Sequence, residues 1–517
     1  MRNLTIIALL MASTSLASAA SNESFVGQIG DGNGAVVGQT KGNNKQNTIQ
    51  AGAKNNAVTS QTGPSTGSNA NQSGTVQFGA KNSALIGQSG GNNTQGTLQV
   101  GVGNGAVTSQ TANNYGGTND ARTGQFGVNN SSLTSQNTGG VADKTTGPSS
   151  GRPGGKGGNN DSGLLQAGYG NTAIIGQNSV GAGNGNSARS GVDNNSSAVQ
   201  IGGKNSAVVS QDGTRAGATA GTASNDSFVG QFGWGNSALV GQLGGNNNQG
   251  TLQFGSKNSA VTGQTANDNG STNGAFTLQG GEGNSALTTQ NTGGSSGFLN
   301  GKGGTNSALT VQFGKGNSAI TGQDSTGGFL SSGVANDAAT IQVGKGNSSI
   351  TSQSGNRPFV GPDAVANNSF VGQIGVGNTA LVGQANGANV QGTLQAGYKN
   401  AAVTSQSNDK ASLNQNGALT LQVGSKNYAA TSQVANPFSV GSNGSLIAQL
   451  GKGNSAVVGQ ENSQTGLQPM IGANLQATVQ AGSNNSALTS QVASANVSNT
   501  SVTAQFGAGN HAVTVQK

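Results

Sequence analysis

The sequence predicts an all-β protein, a solenoid of about 18 stacked strand-turn-strand units that form two parallel sheets. Three observations support this prediction. One twelve-residue pattern returns eighteen times in 517 residues. Residues within each copy alternate with the period of two that extended strands require. No stretch carries a 3.6-residue apolar period long enough to indicate a helix.

Composition argues against a conventional globular enzyme. The 517 residues include 92 Gly, only 31% are hydrophobic and 7% are charged, so large side chains are too few for several ordinary cores. Such a chain is either disordered or built as a repeat in which backbone pairing and stacked polar side chains replace a bulky core. The sequence contains no Cys, so no disulfide can contribute to its stability.

The first twenty residues have the features of a cleaved secretory signal. Met1 and Arg2 precede an apolar run from Leu4 to Met11, and Ala17-Ser18-Ala19 supplies small residues for cleavage. No later segment has the roughly 20 apolar residues of a membrane span. We therefore expect a signal peptide at 1–20 and an exported, not membrane-embedded, repeat region at 21–517.

The repeated frame is Q-x-G-x-x-N-x-A-x-x-x-Q. Both Gln, the Gly and the Asn occur in every copy, and the Ala is replaced only by Ser132 and Ser349. Copies lie 22 to 41 residues apart, which assigns the frame to regular structure and the variable connectors to loops. We expect the longest insert at 137–165. The first Gln of the copies stands at 28, 50, 77, 99, 125, 166, 200, 231, 253, 279, 312, 342, 373, 395, 422, 449, 480 and 505.

Each frame reads as strand, turn, strand. In the third copy, Gln77 and Gly79 alternate with Val76 and Phe78 before a turn at Ala80 and Lys81. After the frame Ala, every copy has an aliphatic residue and then a β-branched one, and both favour a pleated surface. Side chains therefore divide into a Gln, Asn, Ala and Thr/Val face and an aliphatic face.

Stacking such units in register places identical side chains above one another, about 4.8 Å apart. Gln and Asn amides can then bond the amides above and below them in continuous ladders. This favours the amide face as the interior and leaves the aliphatic stripe as a lateral contact surface, although the opposite arrangement stays open. The predicted ladder residues include Gln28, Gly30, Asn33, Ala35, Gln39, Gln50, Gly52, Asn55, Ala57, Gln61, Gln77, Gly79, Asn82, Ala84, Gln88, Gln231, Asn236, Ala238, Gln242, Gln505, Asn510, Ala512 and Gln516.

This frame, repeated behind a secretory signal in a Gly-, Asn- and Gln-rich chain, resembles the curlin repeat of bacterial curli subunits. The resemblance covers residues 24–517 apart from the inserts. It implies an extracellular functional amyloid of a Gram-negative bacterium, a cross-β solenoid exported through a curli-type outer-membrane machinery and assembled into fibres of the biofilm matrix. Familiar curli subunits have about five repeats and a leader segment after the signal, whereas repeats here begin at Ser24. Major subunit and nucleator both remain open.

Nine lysines fall in the turn of the frame and would line one edge of the stack. They are interpreted either as solvated residues that keep the chain soluble before assembly or as a basic stripe for weak contact with anionic matrix polymers. We expect no specific nucleic-acid site. This predicted basic edge comprises Lys54, Lys81, Lys204, Lys257, Lys315, Lys345, Lys399, Lys426 and Lys452.

No pattern of catalytic or metal-binding residues recurs. His511 is the only His and occupies a variable position, and the repeated polar residue is Asn rather than the Asp that calcium-binding solenoids need. We therefore expect neither catalytic residues nor a metal or other cofactor, and an enzyme is disfavoured.

Two functions are compared. The first is a secreted amyloid subunit that polymerises through its open ends for adhesion and biofilm, alone or with other curlin subunits. The second is a monomeric solenoid adhesin or surface-binding protein, which would need capped ends. Because the last frame runs from Gln505 to Gln516, we expect no cap there, which favours polymerisation.

Overall fold

The structure is a computed structural model. It describes residues 21–64, 70–113, 117–140, 157–181, 191–213, 223–266, 272–293, 303–327, 333–357, 366–408, 415–436, 440–463, 471–494 and 497–517. The expected signal peptide at 1–20 lies outside the described residues.

The prediction of an all-β solenoid is confirmed. Thirty-six strands occupy the described part of the chain, two for each frame, and that part contains no helix. The first strand of each pair ends at the turn of the frame, and the second begins just after the frame Asn. We call each such pair a rung.

The first strands of the rungs carry odd numbers. They are β1 (Asn22–Asp31), β3 (Asn43–Ala53), β5 (Ala70–Ala80), β7 (Asn93–Val102), β9 (Asn119–Val128), β11 (Asn160–Tyr169), β13 (Asp193–Gly203), β15 (Ser224–Trp234), β17 (Asn247–Ser256), β19 (Thr272–Glu282), β21 (Thr305–Lys315), β23 (Ala335–Lys345), β25 (Ala366–Val376), β27 (Asn389–Tyr398), β29 (Gln415–Ser425), β31 (Val440–Lys452), β33 (Ile471–Ser483) and β35 (Ser498–Ala508).

The second strands carry even numbers. They are β2 (Gly34–Thr40), β4 (Asn56–Thr62), β6 (Ser83–Gly90), β8 (Gly105–Ala112), β10 (Ser131–Gly139), β12 (Thr172–Val180), β14 (Ser206–Asp212), β16 (Ser237–Gly244), β18 (Ser259–Ala266), β20 (Ser285–Gly293), β22 (Ser318–Gly327), β24 (Ser348–Arg357), β26 (Thr379–Ala385), β28 (Ala401–Asn408), β30 (Tyr428–Ala435), β32 (Ser455–Asn462), β34 (Ser486–Ala493) and β36 (His511–Gln516).

Two parallel sheets of eighteen strands result, one odd-numbered and one even-numbered. Each strand pairs with the equivalent strand of the next rung, and the register aligns the frames, for example Gln28 with Gln50 and Gln39 with Gln61. The same alignment continues to the last rung, where Gln480 pairs with Gln505. At about 4.8 Å per rung the described stack is a rod on the order of 80 Å long.

The turn within each rung depends on two left-handed backbone positions. The frame Gly has φ between 99° and 127° in all eighteen rungs, and the residue just before the frame Asn has φ between 53° and 70°. A Cβ on the frame Gly would lie 1.9 to 2.2 Å from the carbonyl oxygen of the next rung's Gly in every rung but the last. The frame Gly is therefore required both by its conformation and by the closeness of its neighbour.

The variable connectors all leave from the opposite edge of the rod. Apart from 1–20, every segment outside the described residues lies between an even-numbered strand and the next odd-numbered one. The boundaries expected for the longest insert were wrong, because β10 continues through Gly139 and β11 starts at Asn160. Asn137 is therefore a strand residue, and the segment between these two strands is 140–159.

Candidate functional site

The repeated Gln side chains form two continuous ladders inside the rod. In both ladders each Nε2 donates to the Oε1 of the equivalent Gln in the next rung over 2.6 to 2.9 Å. Internal members such as Gln50, Gln77 and Gln99 are fully buried. Every rung is thus joined to the next by one such bond in each ladder.

From Gln39 onward, the second N–H of each ladder Gln joins the two sheets. Gln50 on β3 donates to the carbonyl oxygen of Gly34 on β2 over 3.0 Å, and Gln61 on β4 donates to the carbonyl oxygen of Lys45 on β3 over 3.0 Å. Each amide therefore bonds along the rod and across it. Because these amides are buried, the bonds satisfy groups that would otherwise be costly to remove from solvent.

The frame Asn forms a third ladder at the turn. Its Oδ1 accepts the backbone N–H of the next rung's Asn over 3.0 to 3.2 Å. Its Nδ2 donates to carbonyl oxygens of the odd-numbered strands of its own rung and the next rung. Asn82, for example, donates to Phe78 on β5 and to Gly101 on β7. This side chain therefore holds the turn of one rung against its neighbours on both sides.

A fourth ladder is outside the predicted set. An Asn stands six residues before the first Gln in all eighteen rungs, where its Nδ2 donates to the Oδ1 of the preceding rung over 2.7 to 3.1 Å. Extending the alignment upstream of the frame would have found it. These residues are Asn22, Asn44, Asn71, Asn93, Asn119, Asn160, Asn194, Asn225, Asn247, Asn273, Asn306, Asn336, Asn367, Asn389, Asn416, Asn443, Asn474 and Asn499.

The remaining interior is narrow and small. The frame Ala residues of the internal rungs are at most 3% exposed, as at Ala57, Ala84 and Ala238, and the residue two further on is a buried Thr, Val or Ile. Small side chains at these positions let the two sheets lie close enough for the Gln amides of one to reach the backbone of the other. The amide face is thus the interior, and the aliphatic face is the exterior.

The four ladders have opposite directions of donation. Both Gln ladders donate toward the C-terminal end, as from Gln28 to Gln50, whereas the outer Asn ladder donates toward the N-terminal end, as from Asn44 to Asn22. The frame Asn follows the second direction, with Asn55 Nδ2 donating to Asn33 Oδ1 over 3.1 Å. The two ends of the rod therefore present different sets of donors and acceptors.

The nine turn lysines lie along one edge of the rod, because the register of the odd-numbered sheet stacks the turns of successive rungs. Six of them (Lys54, Lys81, Lys204, Lys257, Lys399 and Lys426) occupy the left-handed position that Gly fills in ten rungs and Asn in two. Left-handed backbone is costly for a residue with a Cβ, by roughly 1–2 kcal/mol. Lys at these six positions therefore carries a conformational cost that Gly avoids.

Few other charges neutralise this edge. Lys315 Nζ lies 2.9 Å from Glu282, and its hydrogen bond and charge lower the pKa of that carboxyl. The ammonium groups of Lys204 and Lys399 lie over the rings of Trp234 and Tyr398, 5.5 and 4.9 Å from the centroids. The hydrogen bond from Lys399 lowers the pKa of the Tyr398 hydroxyl. A positive edge therefore remains, with Asp31 as its other acidic residue.

The described residues contain no group of three or more His, Cys, Asp or Glu side chains arranged to hold a metal ion. His511 lies exposed at the start of the last strand. Within the same residues, no helix is long and apolar enough to cross a membrane.

The fold and its interior define a β-solenoid with an amide-ladder core. No protein-family model matches the chain, and no curated protein matches it either. The most distinctive chemical feature of the rod is the complementarity of its two ends.

Proposed function

We propose that this chain is a secreted structural subunit of curli-like extracellular amyloid fibres, which grow by end-to-end stacking of rods and serve adhesion and biofilm formation. The observation that carries the proposal is the complementarity of the two ends. In the Gln ladders the C-terminal rung presents donors and the N-terminal rung presents acceptors, and in the Asn ladders the roles are reversed. Within the part of the chain that the structure describes, β1, β2, β35 and β36 each pair with one neighbouring strand, and such edge strands add the same tendency to pair.

The amide groups at the two ends match one another. Placing β1 and β2 over β35 and β36 in the register of the rod puts the donors of Gln505 and Gln516 opposite the Oε1 atoms of Gln28 and Gln39. Inside the rod each Gln makes this bond with its successor, as Gln480 does with Gln505 and Gln491 does with Gln516. In the same alignment, the amides of Asn22 and Asn33 face the Oδ1 atoms of Asn499 and Asn510, the arrangement of both Asn ladders.

The other interior contacts of such a seam already occur within the rod. Ser501 would lie against Ser24, as Ser196 lies against Ser227. Thr503 would lie against Val26, and the same pair of residue types meets where Thr340 aligns with Val371. The junction therefore introduces no new type of interior contact at these positions.

The seam also avoids electrostatic repulsion. The ladder positions of the first and last rungs carry only Asn, Ser, Val, Thr, Gln and Ala side chains. A buried charge at these positions would repeat along the fibre at every junction and would cost far more than an amide. Neutral ladders thus permit unlimited addition of copies.

Export and partners are inferred from the sequence features. The signal-like segment at 1–20, the lack of Cys and the lack of a bulky core suit a chain that leaves the cell unfolded and folds as it stacks. The expected partners are further copies of this chain, a curli-type export and nucleation machinery, other curlin subunits and, through the turn edge, anionic matrix polymers.

The direct experiment is assembly of the purified chain without residues 1–20. We expect fibres that bind thioflavin and give reflections near about 4.7 and 10 Å. The variant carrying Thr514→Glu and Gln516→Glu places two carboxylates on the C-terminal end, where both side chains are only half-buried, and should stop growth while leaving the rod folded.

The matched control carries Gln72→Glu and Thr94→Glu, which add the same two charges on adjacent rungs of the exposed side of the rod. It should assemble as the unmodified chain does. A chain that stays monomeric and folded would overturn the fibre proposal and favour the adhesin, and equal growth of both variants would overturn end-to-end stacking.

A further inference from the structure

The outer face of the even-numbered sheet carries an unusually regular pattern. The residue directly after the frame Ala, here called the ridge, is aliphatic in all eighteen rungs. The residue two positions further on, here called the groove, is Gly, Ser or Thr in seventeen rungs and Val515 in the last. Neither column contains a charged residue.

The ridge projects into solvent along the rod. Its members include Leu133, Ile174, Leu239, Ile320 and Leu381, each 39 to 46% exposed although they belong to internal rungs. In-register pairing places successive ridge residues one above another, about 4.8 Å apart, so they form a continuous apolar strip. A contiguous exposed apolar strip commonly marks an interaction site.

Packing within a single rod does not require most of the groove glycines. A Cβ added to Gly38, Gly87, Gly241, Gly263 or Gly383 would meet no atom within 4 Å, and none of these residues has the positive φ that favours Gly. Gly in the middle of a strand lowers stability and commonly marks a close approach of another chain or ligand. These residues therefore indicate that something approaches this face from outside.

Several glycines on the outer face of the odd-numbered sheet have a different explanation. A Cβ on Gly230 or Gly372 would lie 2.7 Å from the side chains of Leu252 or Leu394, and one on Gly250 would lie 2.8 Å from a ring carbon of Phe276. Those glycines make room for large side chains of the same rod. At six of the eight groove glycines of the even face a Cβ would meet no atom within 4 Å, and at Gly176 and Gly322 the nearest atom would be 4.0 and 3.7 Å away.

We propose that the outer face of the even-numbered sheet binds the same face of a second copy of this chain, with the ridge of each rod seated in the groove of the other. The two columns are about 7 Å apart along the strand, so a two-fold axis parallel to the rod brings each ridge opposite the partner's groove. A two-fold axis along the strands would instead place ridge on ridge. The pairing therefore makes the two rods run in the same direction.

Size supports a second copy as the occupant. A strand of seven residues spans about 23 Å, so the face covers on the order of 1,900 Å² per copy over the length of the rod. Contact over only six rungs would bury about 1,300 Å² in total, which is within the range of stable interfaces. A smaller ligand could not use the pattern along all eighteen rungs.

Chemistry supports the same occupant. The ridge and groove columns are uncharged, and the charges next to the groove within the strands of this face are acidic, at Asp212, Asp324 and Glu461, which disfavours a polyanion. The small and aliphatic columns repeat at the same spacing as those of another copy. Interdigitated dry faces of this composition are the usual contact between paired β-sheets. Pairing of copies is separate from end-to-end growth, because it takes place on the side of the rod.

The test measures mass per unit length of the purified chain by electron microscopy of unstained particles, on soluble rods or on fibres. End-to-end growth leaves this value unchanged, whereas lateral pairing doubles it. We expect the doubled value for the unmodified chain. The variant Leu287→Lys, Ile320→Lys and Ile350→Lys, on three successive ridge rungs, should return it to the value of one rod.

The matched control is Phe276→Lys, Leu309→Lys and Val343→Lys, which changes residues of similar exposure on the odd face of the same three rungs. It should keep the doubled value. If the unmodified chain has the mass per unit length of one rod, the proposal is overturned. It is also overturned if the odd-face variant loses pairing while the ridge variant keeps it.

A second pair of variants avoids added charge. Gly241→Val with Gly263→Val fills the groove on two adjacent rungs, and Gly74→Val with Gly96→Val fills open positions on two adjacent rungs of the odd face. Both should fold at least as well as the unmodified chain, because Val suits a strand better than Gly does. We expect only the groove variant to lower the mass per unit length, and equal values for both variants would overturn the proposal.

Discussion

The replacement Gln312→Glu tests the amide ladders most directly, because it exchanges one buried donor for an acceptor with almost no change of shape. Gln312 is fully buried. Its Oε1 accepts from Gln279 over 2.8 Å, and its Nε2 donates to Gln342 Oε1 over 2.8 Å and to the carbonyl oxygen of Ser285 over 2.9 Å. An ionised glutamate keeps the first bond and has no donor for the other two.

The expected loss of stability depends on pH. An ionised carboxylate would face two acceptor oxygens, so the buried group takes up a proton, which near pH 7 costs up to about 3.7 kcal/mol from an ordinary Glu pKa of about 4.3. The protonated group donates one hydrogen bond and leaves one acceptor unsatisfied, at about 1–3 kcal/mol. We therefore expect about 5–7 kcal/mol at pH 7 and about 1–3 kcal/mol at or below pH 4.

The sign follows from proton uptake. The folded state raises the pKa of this Glu, so it holds a proton that the unfolded state releases, and stability falls as the pH rises above about 4.3. Urea unfolding followed by circular dichroism at pH 4 and pH 7 measures the difference. Gln312→Leu should be destabilised equally at both values, and Gln72→Glu, on the exposed side, should be close to neutral at both. A Gln312→Glu rod as stable at pH 7 as at pH 4 would refute the sequestered ladder.

Four further outcomes are expected. Gly314→Ala should lower the thermal unfolding temperature of the rod more than Gly507→Ala does. Both glycines have a positive φ, of 116° and 99°, but only a Cβ at 314 would lie 2.0 Å from the carbonyl oxygen of the next rung. Equal effects of the two replacements would count against this clash. Partial burial, and to a smaller extent the carboxylate of Asp120, raise the pKa of Asp161, so its contribution to stability should fall as the pH rises past about 4. Asp161→Asn should reduce this pH dependence in acid unfolding curves. Lys257→Gly should raise the free energy of unfolding by about 0.5–1 kcal/mol, because it removes a Lys from a left-handed backbone position. Replacement of all nine turn lysines by Gln should abolish salt-dependent retention on a dextran sulfate column. Unchanged retention would contradict the basic-edge interpretation.

The repeat makes much of the fold predictable from spacing alone. Eighteen equal frames make stacking in register the arrangement that aligns every Gln with a Gln, since a slip of one residue would exchange the two faces of a strand. The frame Gly is also understandable as a turn residue from its position in the frame. The pairing of Gln28 with Gln50, and of every later copy with its successor, follows directly.

Part of the candidate site was missed. The ladder that begins at Asn22 lies upstream of the frame, where connectors of different length obscure its repetition unless copies are aligned on the first Gln. The insert boundary at 137 was also wrong, because β10 extends past its Gln to pair with β12 through Gly139. Strand length depends on which neighbour is available for pairing, and that is a property of the stack.

The sequence by itself determined the repeating unit, its parallel register and the alternation that divides two faces, because these depend on spacing along one chain. Tertiary structure decided which face is inside: Gln amides reach the backbone of the opposite sheet only when the small Ala column lets the sheets approach. Tertiary structure also decided the direction of donation in each Gln ladder. A stacked amide can donate toward either end of the rod until its second N–H bonds to a carbonyl oxygen of the opposite sheet. That choice makes the two ends of the rod different and complementary.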